Sequence, residues 1–258
     1  MRALTEVGAG LRLQVAVVRR TPAQLLVLVT APLFSAIFLS LAVHQGTTSR
    51  VAAAVIGPGL MGLWLISLDV AASVLSEDRF AGRLELFLST PASLSLVILG
   101  RILAVSVVGI AAFAESWLVA QLAFGLHVPL RHPGLALLAL VITVLTSSFT
   151  ATLLASAFVL SRSLHVYQNS MTYPFYILGG VVVPLTVLPG WIQPISKVVY
   201  LSWCADLLRN SLSAVHQQDV GLDIGMALGL GIVALAAAVL LTRHILDMLR
   251  RNATAGMG

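Results

Sequence analysis

Charged side chains are scarce in this sequence. Only 10% of the 258 residues are Asp, Glu, Lys or Arg, while 59% are hydrophobic. A soluble domain carries about 25% charged residues, so this chain has too little polar surface to cover a fold in water. We therefore predict an all-α integral membrane protein, because helices satisfy their own backbone hydrogen bonds in lipid.

Lysine and cysteine are almost absent. The only lysine, Lys197, follows Ser196, whereas a Walker A loop needs a Gly-Lys step to reach nucleotide phosphates. The chain therefore cannot hydrolyse ATP alone. The single cysteine, Cys204, excludes an intrachain disulfide and a cysteine-based metal site. H-E-x-x-H and G-x-S-x-G motifs are missing and the six histidines are dispersed, so we expect no catalytic residue, metal or cofactor on this chain.

Six apolar segments come close to the roughly 20 residues that a spanning helix needs. They are residues 24–43, 51–75, 96–126, 134–160, 171–187 and 221–241. No linker separates a second domain, so residues 1–258 are expected to form a single transmembrane domain.

Two further segments do not look like plain spans. Residues 1–21 contain an amphipathic helix over 2–20, which we expect to lie in the membrane interface. Residues 188–219 are broken by proline and charge, and we predict short helices that dip into the outer leaflet. Pro189 breaks this segment, and Trp191 suits an interfacial aromatic belt.

The arginines set the expected orientation. With the N-terminus inside, eleven basic residues lie on the cytoplasmic side and four outside, the bias that the positive-inside rule describes. Both termini are then cytoplasmic. Because the basic residues sit at the ends of apolar runs rather than on one face, the net charge of +5 does not indicate nucleic-acid binding.

The stretch Ser76–Pro91, SEDRFAGRLELFLSTP, is the densest run of charge. It either caps a turn between two spans or docks a partner in the cytoplasm. Charges of both signs beside apolar side chains suit contact with a soluble protein. The candidate contact residues are Glu77, Asp78, Arg79, Phe80, Gly82, Arg83, Leu84, Glu85 and Phe87.

Polar and aromatic side chains inside the spans have two interpretations each. Asp69 and Glu115 are either groups of a substrate cavity or proton relay, or buried partners of other polar side chains. The hydroxyls of Thr143, Thr146, Ser147 and Thr150 either line a polar path or, as we favour, hold helices together. Five aromatic residues either contact an apolar substrate or, as we favour, pack against helices and lipid: Phe34, Phe38, Trp64, Phe113 and Trp117.

Three features of the chain resemble the ABC-2 type permease subunits of ATP-binding-cassette exporters, the group with daunorubicin-resistance-like drug exporters. The run from Glu77 to Pro91 is similar to the family's E-x-x-x-x-G-[ST]-L-E-x-L-x-x-T-P, with Arg83 at the Ser/Thr position. Pro184 and Leu188–Trp191 are similar to its P-x-x-x-L-P-x-W turn. Tyr200-Leu201 departs from a common Asn-Pro. The amphipathic helix followed by six spans is the third feature.

The resemblance implies the type V (ABCG-like) exporter fold and a membrane subunit that is not itself an enzyme. Residues 76–91 would include the coupling helix that docks on a separate ATPase, present in two copies with their own ATP and Mg. The N-terminal helix would make a second contact through Arg12, Arg19 and Arg20. Two permease subunits, identical or sister chains, would move a drug, antibiotic or lipid out across a bacterial cell membrane.

Other functions stay open on the sequence alone. A polysaccharide or glycolipid export permease has the same layout. A proton-coupled secondary carrier would use Glu115, and a membrane scaffold would transport nothing.

Overall fold

We describe the fold from a computed structural model of the chain. The structure describes residues 2–21, 26, 28–44, 48–80, 93–158, 164–181, 185, 189–212 and 219–255. Within these ranges the regular structure is helical, without a β-strand. The helices are α1 (Arg2–Arg20), α2 (Thr30–His44), α3 (Thr48–Phe80), α4 (Leu94–Gly109), α5 (Ala111–Leu122), α6 (Pro133–Phe158), α7 (Leu164–Leu178), α8 (Gln193–Ser196), α9 (Tyr200–Leu212) and α10 (Val220–Ala255).

Four helical stretches are long and apolar enough to cross a membrane. They are Val51–Val74, Leu94–Leu122, Pro133–Ala157 and Val220–Met248. They confirm the prediction of an all-α, multi-pass membrane protein. The first and fifth predicted spans correspond to α2 and α7, which have 15 residues each. Since that is less than a full span, the six-span layout stays a prediction.

The fifth predicted span, residues 171–187, differs most from the structure. Its helix begins earlier, at Leu164, and already ends at Leu178. Gly180 has a φ of 62°, and the Val181 N–H donates to the Tyr176 carbonyl at 3.2 Å. This is the glycine-capped end in which a left-handed residue stops the helix. The apolar residues of the sequence continue beyond Gly180, and hydropathy therefore predicted an end of the helix that lies too far along the chain.

The third predicted span, residues 96–126, is divided at Ile110 into α4 and α5. The Ile110 N–H donates to the Val107 carbonyl, and the Phe113 N–H donates to the Ile110 carbonyl. Both bonds join residues three apart, so the helix tightens locally. At the break, a Cβ on Gly109 would lie 3.1 Å from the Leu63 Cα, and glycine here lets α4 approach α3 closely.

The helix α3 lies at the centre of the fold. It packs against α2, α4, α5, α6, α7 and α9, and Leu60, Leu63, Ile66 and Leu68 are completely buried. The helix α10 lies at the periphery against α6 and α9. Its outward residues include Ile232, Val233 and Leu240, each about 60% exposed, as expected for a helix that faces lipid.

Candidate coupling region and intramembrane polar residues

The first part of the predicted docking stretch continues α3 rather than forming a separate helix. Ser76–Phe80 is helical and extends α3 beyond Val74, where its apolar stretch ends. These last six residues of the helix rise about 9 Å. Glu77, Asp78, Arg79 and Phe80 therefore form the C-terminal end of α3. The other candidate contacts lie outside the described residues: Gly82, Arg83, Leu84, Glu85 and Phe87.

The stretch ends shortly before α4 begins, and a residue of α1 binds the backbone at the N-terminus of α4. Ser93 is the N-cap residue of α4, but its side chain makes no capping hydrogen bond. Instead, the Ser93 backbone N–H donates to the Glu6 carboxylate at 3.2 Å. A carboxylate at a helix N-terminus is favourable, because it faces unpaired N–H groups and the positive end of the helix dipole. Glu6 thus fixes where α4 begins.

Two glycines bring α1 and α4 into backbone contact. A Cβ on Gly10 would lie 2.2 Å from the Val97 carbonyl oxygen, and a Cβ on Gly100 would lie 2.1 Å from that of Val7. Real Cβ atoms do not approach this closely, so only glycine fits at either position. The amphipathic helix is therefore packed against the start of a long span.

A buried polar pair extends the same contact. Arg101 in α4 is 3% exposed and Gln14 in α1 is completely buried, and the Arg101 Nε–H donates to the Gln14 Oε1 at 3.0 Å. The contacts Glu6–Ser93, Gly10–Val97 and Gln14–Arg101 have the same sequence offset of 87 residues. The two helices therefore run side by side in the same direction over two turns.

The arginines of α1 point away from this contact. Arg12, Arg19 and Arg20 are exposed, and they form no ion pair or hydrogen bond with the described residues. They are thus accessible to a partner, as the predicted second contact requires. The sequence pattern alone did not identify Gln14, Glu6 and Gly10 as contact residues. The sequence features that could have indicated this contact are a single acid, Glu6, and two glycines, Gly8 and Gly10, in an otherwise apolar and basic helix.

The two intramembrane acids lie at different levels of the fold. The Ser116 hydroxyl, next to Glu115, donates to the Val55 carbonyl of α3 at 2.7 Å. Val55 therefore marks the level of Glu115 on α3. Asp69 lies 14 residues after Val55 in the same helix, about 21 Å away along the helix axis. The Glu115 Oε2 is buried without a hydrogen-bond partner in the described part of the chain, while Asp69 is half-buried and has a polar partner.

The hydroxyl residues of α6 are buried and satisfied inside the fold. Thr143 donates to the Ala139 carbonyl at 2.7 Å, and Ser147 accepts a hydrogen bond from the Tyr200 hydroxyl at 3.0 Å. Ser148 donates to Ser106 at 3.0 Å, and Ser106 also contacts Ser67 at 2.8 Å. The bonds of Ser147 and Ser148 connect α6 to α9, α4 and α3, while the choice between a packing role and a polar path for the four predicted residues stays a prediction.

The candidate substrate-contact aromatics are not brought together. Trp64 is completely buried and stacks on Phe175, with ring centroids 4.7 Å apart. Phe38 packs between two core clusters of the fold. Phe34 is 43% exposed, whereas Trp64 is completely buried.

The comparison with family models decides the family. The model of the ABC-2 type transporter family matches residues 5–212. The chain belongs to the ABC-2 type transporter family. No curated protein matches it closely enough for comparison. The matched range includes the charged stretch and runs from α1 to the end of α9.

Membership in the ABC-2 family establishes the coarse function. The chain is a membrane permease component of an ABC-type transporter, and the family domain is a transport component that is not itself catalytic. Members of this family typically work with an ATPase subunit. The helix α10 follows the matched range, although it supplies one of the four long apolar stretches.

Short helices are present in the segment that precedes α10, as predicted. They are α8 and α9, with Pro189 and an exposed Trp191 just before them. In α9, Arg209 donates to Asp206 at 2.9 Å and, with another nitrogen, to the Gly180 carbonyl. Burial raises the pKa of Asp206, and the neighbouring Arg209 charge partly offsets this rise. Arg209 thus connects α9 to the turn that ends α7.

Proposed function

We propose that this ABC-2 permease belongs to an ATP-driven exporter. It would move a hydrophobic or amphipathic small molecule, such as a drug or antibiotic, or a lipid, out of the cell. A separate ATPase subunit, in two copies that bind ATP and Mg, would drive it. A second permease, identical or related, would complete the translocation path. The arginine bias supports an orientation with both termini in the cytoplasm of a bacterial cell.

The observation that carries this proposal is the attachment of α1 to the start of α4. The docking stretch begins on the C-terminal end of α3 and leads into Ser93, where Glu6 binds the N-terminus of α4. A force on the stretch would therefore act on two long spans at once. Because Gly10 and Gly100 leave no space between α1 and α4, α1 would move with them.

The test is whether the stretch couples ATP hydrolysis to transport. The permease is co-expressed with its ATPase and reconstituted in vesicles, and Gly82→Trp and Glu85→Arg are compared with wild type. We expect ATP hydrolysis to lose its dependence on substrate, and ATP-driven efflux to fall at least tenfold. Asp247→Arg, a charge reversal at an exposed position of α10, is the matched control. Normal coupling in both test variants would contradict the proposal.

One observation favours a second candidate, a proton-coupled carrier. The Glu115 carboxylate has a buried oxygen without a partner in the described residues, and an acid inside a membrane span is often functional. A carrier would transport in vesicles without ATP, stop when an uncoupler is added, and lose activity in Glu115→Gln. ATP-dependent transport that an uncoupler leaves unchanged would exclude it.

A further inference from the structure

The outward surface of α1 carries apolar residues bordered by arginines. Leu4, Leu11 and Val15 are 79%, 41% and 38% exposed, and spacings of seven and four residues place them on one side of the helix. Arg12 follows Leu11, and Arg19 lies one turn after Val15, so both arginines line the same edge. We call these five residues the α1 strip.

The positive charge of the α1 strip is not neutralised within the described part of the chain. Arg12 and Arg19 form no ion pair or hydrogen bond there. Glu6, the only acid of α1, is bound to the N-terminus of α4. The strip therefore offers two free guanidinium groups beside exposed apolar side chains.

The packing of α1 on α4 places the first part of the strip at the depth of lipid headgroups. The span Leu94–Leu122 has 29 residues and is about 44 Å long, whereas the hydrocarbon core of a bilayer is about 30 Å thick. If Leu122 lies at one boundary of the core, the first turns of α4 extend beyond the other. By the offset of 87 residues, Arg12 is level with Leu99, within these turns. Arg19 is level with Ser106, about 6 Å inside the boundary of the core, a distance that a long arginine side chain can bridge to reach the headgroups.

We propose that the α1 strip binds anionic phospholipid. Leu4, Leu11 and Val15 would enter the boundary of the acyl chains, and Arg12 and Arg19 would each bind a lipid phosphate. Basic amphipathic helices at a membrane surface recognise anionic lipids in this way.

The helical geometry divides the arginines that the sequence grouped together. Arg20 follows Leu11 by nine residues, or about two and a half turns, and lies on the opposite side of α1. It faces away from the lipid and stays accessible to the ATPase. Arg20 therefore provides a matched control with the same change of charge.

The test measures lipid selectivity of the full chain in bilayers. The protein is reconstituted in phosphatidylcholine with a trace of spin-labelled phosphatidylglycerol or phosphatidylcholine, and the motionally restricted fraction of each gives a relative association constant. We expect wild type to prefer phosphatidylglycerol by about fivefold for each arginine. Arg12→Gln/Arg19→Gln should approach equal association, while Arg20→Gln and the charge-retaining Arg12→Lys/Arg19→Lys keep the preference.

Two results would overturn the proposal. One is an unchanged preference in Arg12→Gln/Arg19→Gln, above all if this variant loses binding of the ATPase instead, because the strip would then belong to the protein partner. The other is an equal loss in Arg20→Gln, which would show an effect of net charge without a site. Neither result depends on the direction of transport or on its energy source.

Discussion

Gly10 of α1 lies against the backbone of Val97 in α4, and Gly100 of α4 lies against the backbone of Val7 in α1. Each would place a Cβ within 2.2 Å of a carbonyl oxygen of the other helix. These oxygens belong to backbone that cannot move independently of its helix. The contact therefore fixes the distance between the amphipathic helix and the span that follows the charged stretch Ser76–Pro91.

Alanine at either glycine should separate the two helices. We expect Gly10→Ala and Gly100→Ala each to lower the free energy of unfolding by about 1–3 kcal/mol, the usual cost of overpacking. Thermal unfolding in detergent measures this. Gly8→Ala is the matched control in α1, since nothing lies within 4 Å of its Cβ position, and it should be neutral or stabilising by up to about 1 kcal/mol. Equal behaviour of Gly8→Ala and Gly10→Ala would refute the close contact.

The Gln14–Arg101 pair should show coupling in a double-mutant cycle. Gln14→Leu removes the acceptor and leaves a buried guanidinium short of a hydrogen bond, so we expect a loss of about 1.5–3 kcal/mol. In Gln14→Leu/Arg101→Leu the buried charge is gone as well, and the total loss should be smaller than the sum of the single losses. Chemical denaturation in mixed micelles gives the four values. Strict additivity would show that the two side chains do not depend on each other.

The sequence predicted the helical class and most helices, because long apolar runs and the scarcity of charge leave little else. It placed α1 at 2–20, where the structure has Arg2–Arg20. It did not predict which face of α1 packs against another helix, because it identified only an amphipathic helix expected in the membrane interface. In the structure, α1 buries Gly10 and Gln14 against α4. A polar residue and a glycine carry no hydrophobic signal, and only the partner helix reveals their role.

The ends of the spans were harder to predict than their existence. Hydropathy does not report a left-handed glycine such as Gly180, nor the tight turn at Ile110. The stretch Ser76–Pro91 was proposed to dock a partner because its charges and the E-x-x-x-x-G run stand out from an apolar background, and its docking role stays a prediction. Which hydroxyls of α6 bind which helix could not be predicted, since this depends on tertiary register.

Ser147 should act through Tyr200 if the hydroxyls of α6 hold helices together. Ser147→Ala leaves the buried Tyr200 hydroxyl without its acceptor, and we expect a loss of about 1 kcal/mol, within the range for hydrogen bonds between membrane helices. Adding Tyr200→Phe should cost little more, because no unpaired hydroxyl then remains. Transport per folded protein should be normal in both variants. A defect in transport that Tyr200→Phe does not alter would place Ser147 in the substrate path instead.

Arg209 should connect α9 to the end of α7 in a way that lysine cannot replace. The guanidinium reaches Asp206 and the Gly180 carbonyl with different nitrogens, whereas lysine has a single nitrogen. We expect Arg209→Lys to lower the free energy of unfolding by about 1–2 kcal/mol. Arg131→Lys, at an exposed arginine without a partner among the described residues, should change little.

Removing the charge of Arg209 should also make stability depend on pH. In Arg209→Met the pKa of Asp206 rises further, because burial acts alone once the neighbouring positive charge is gone. A carboxyl whose pKa is raised in the folded state binds its proton more tightly there, so stability falls as the pH rises through that pKa. Arg209→Met should thus lose more stability relative to wild type at neutral pH than at acidic pH. Unfolding measured at both pH values checks this, and an equal loss at both would show that Asp206 does not sense Arg209.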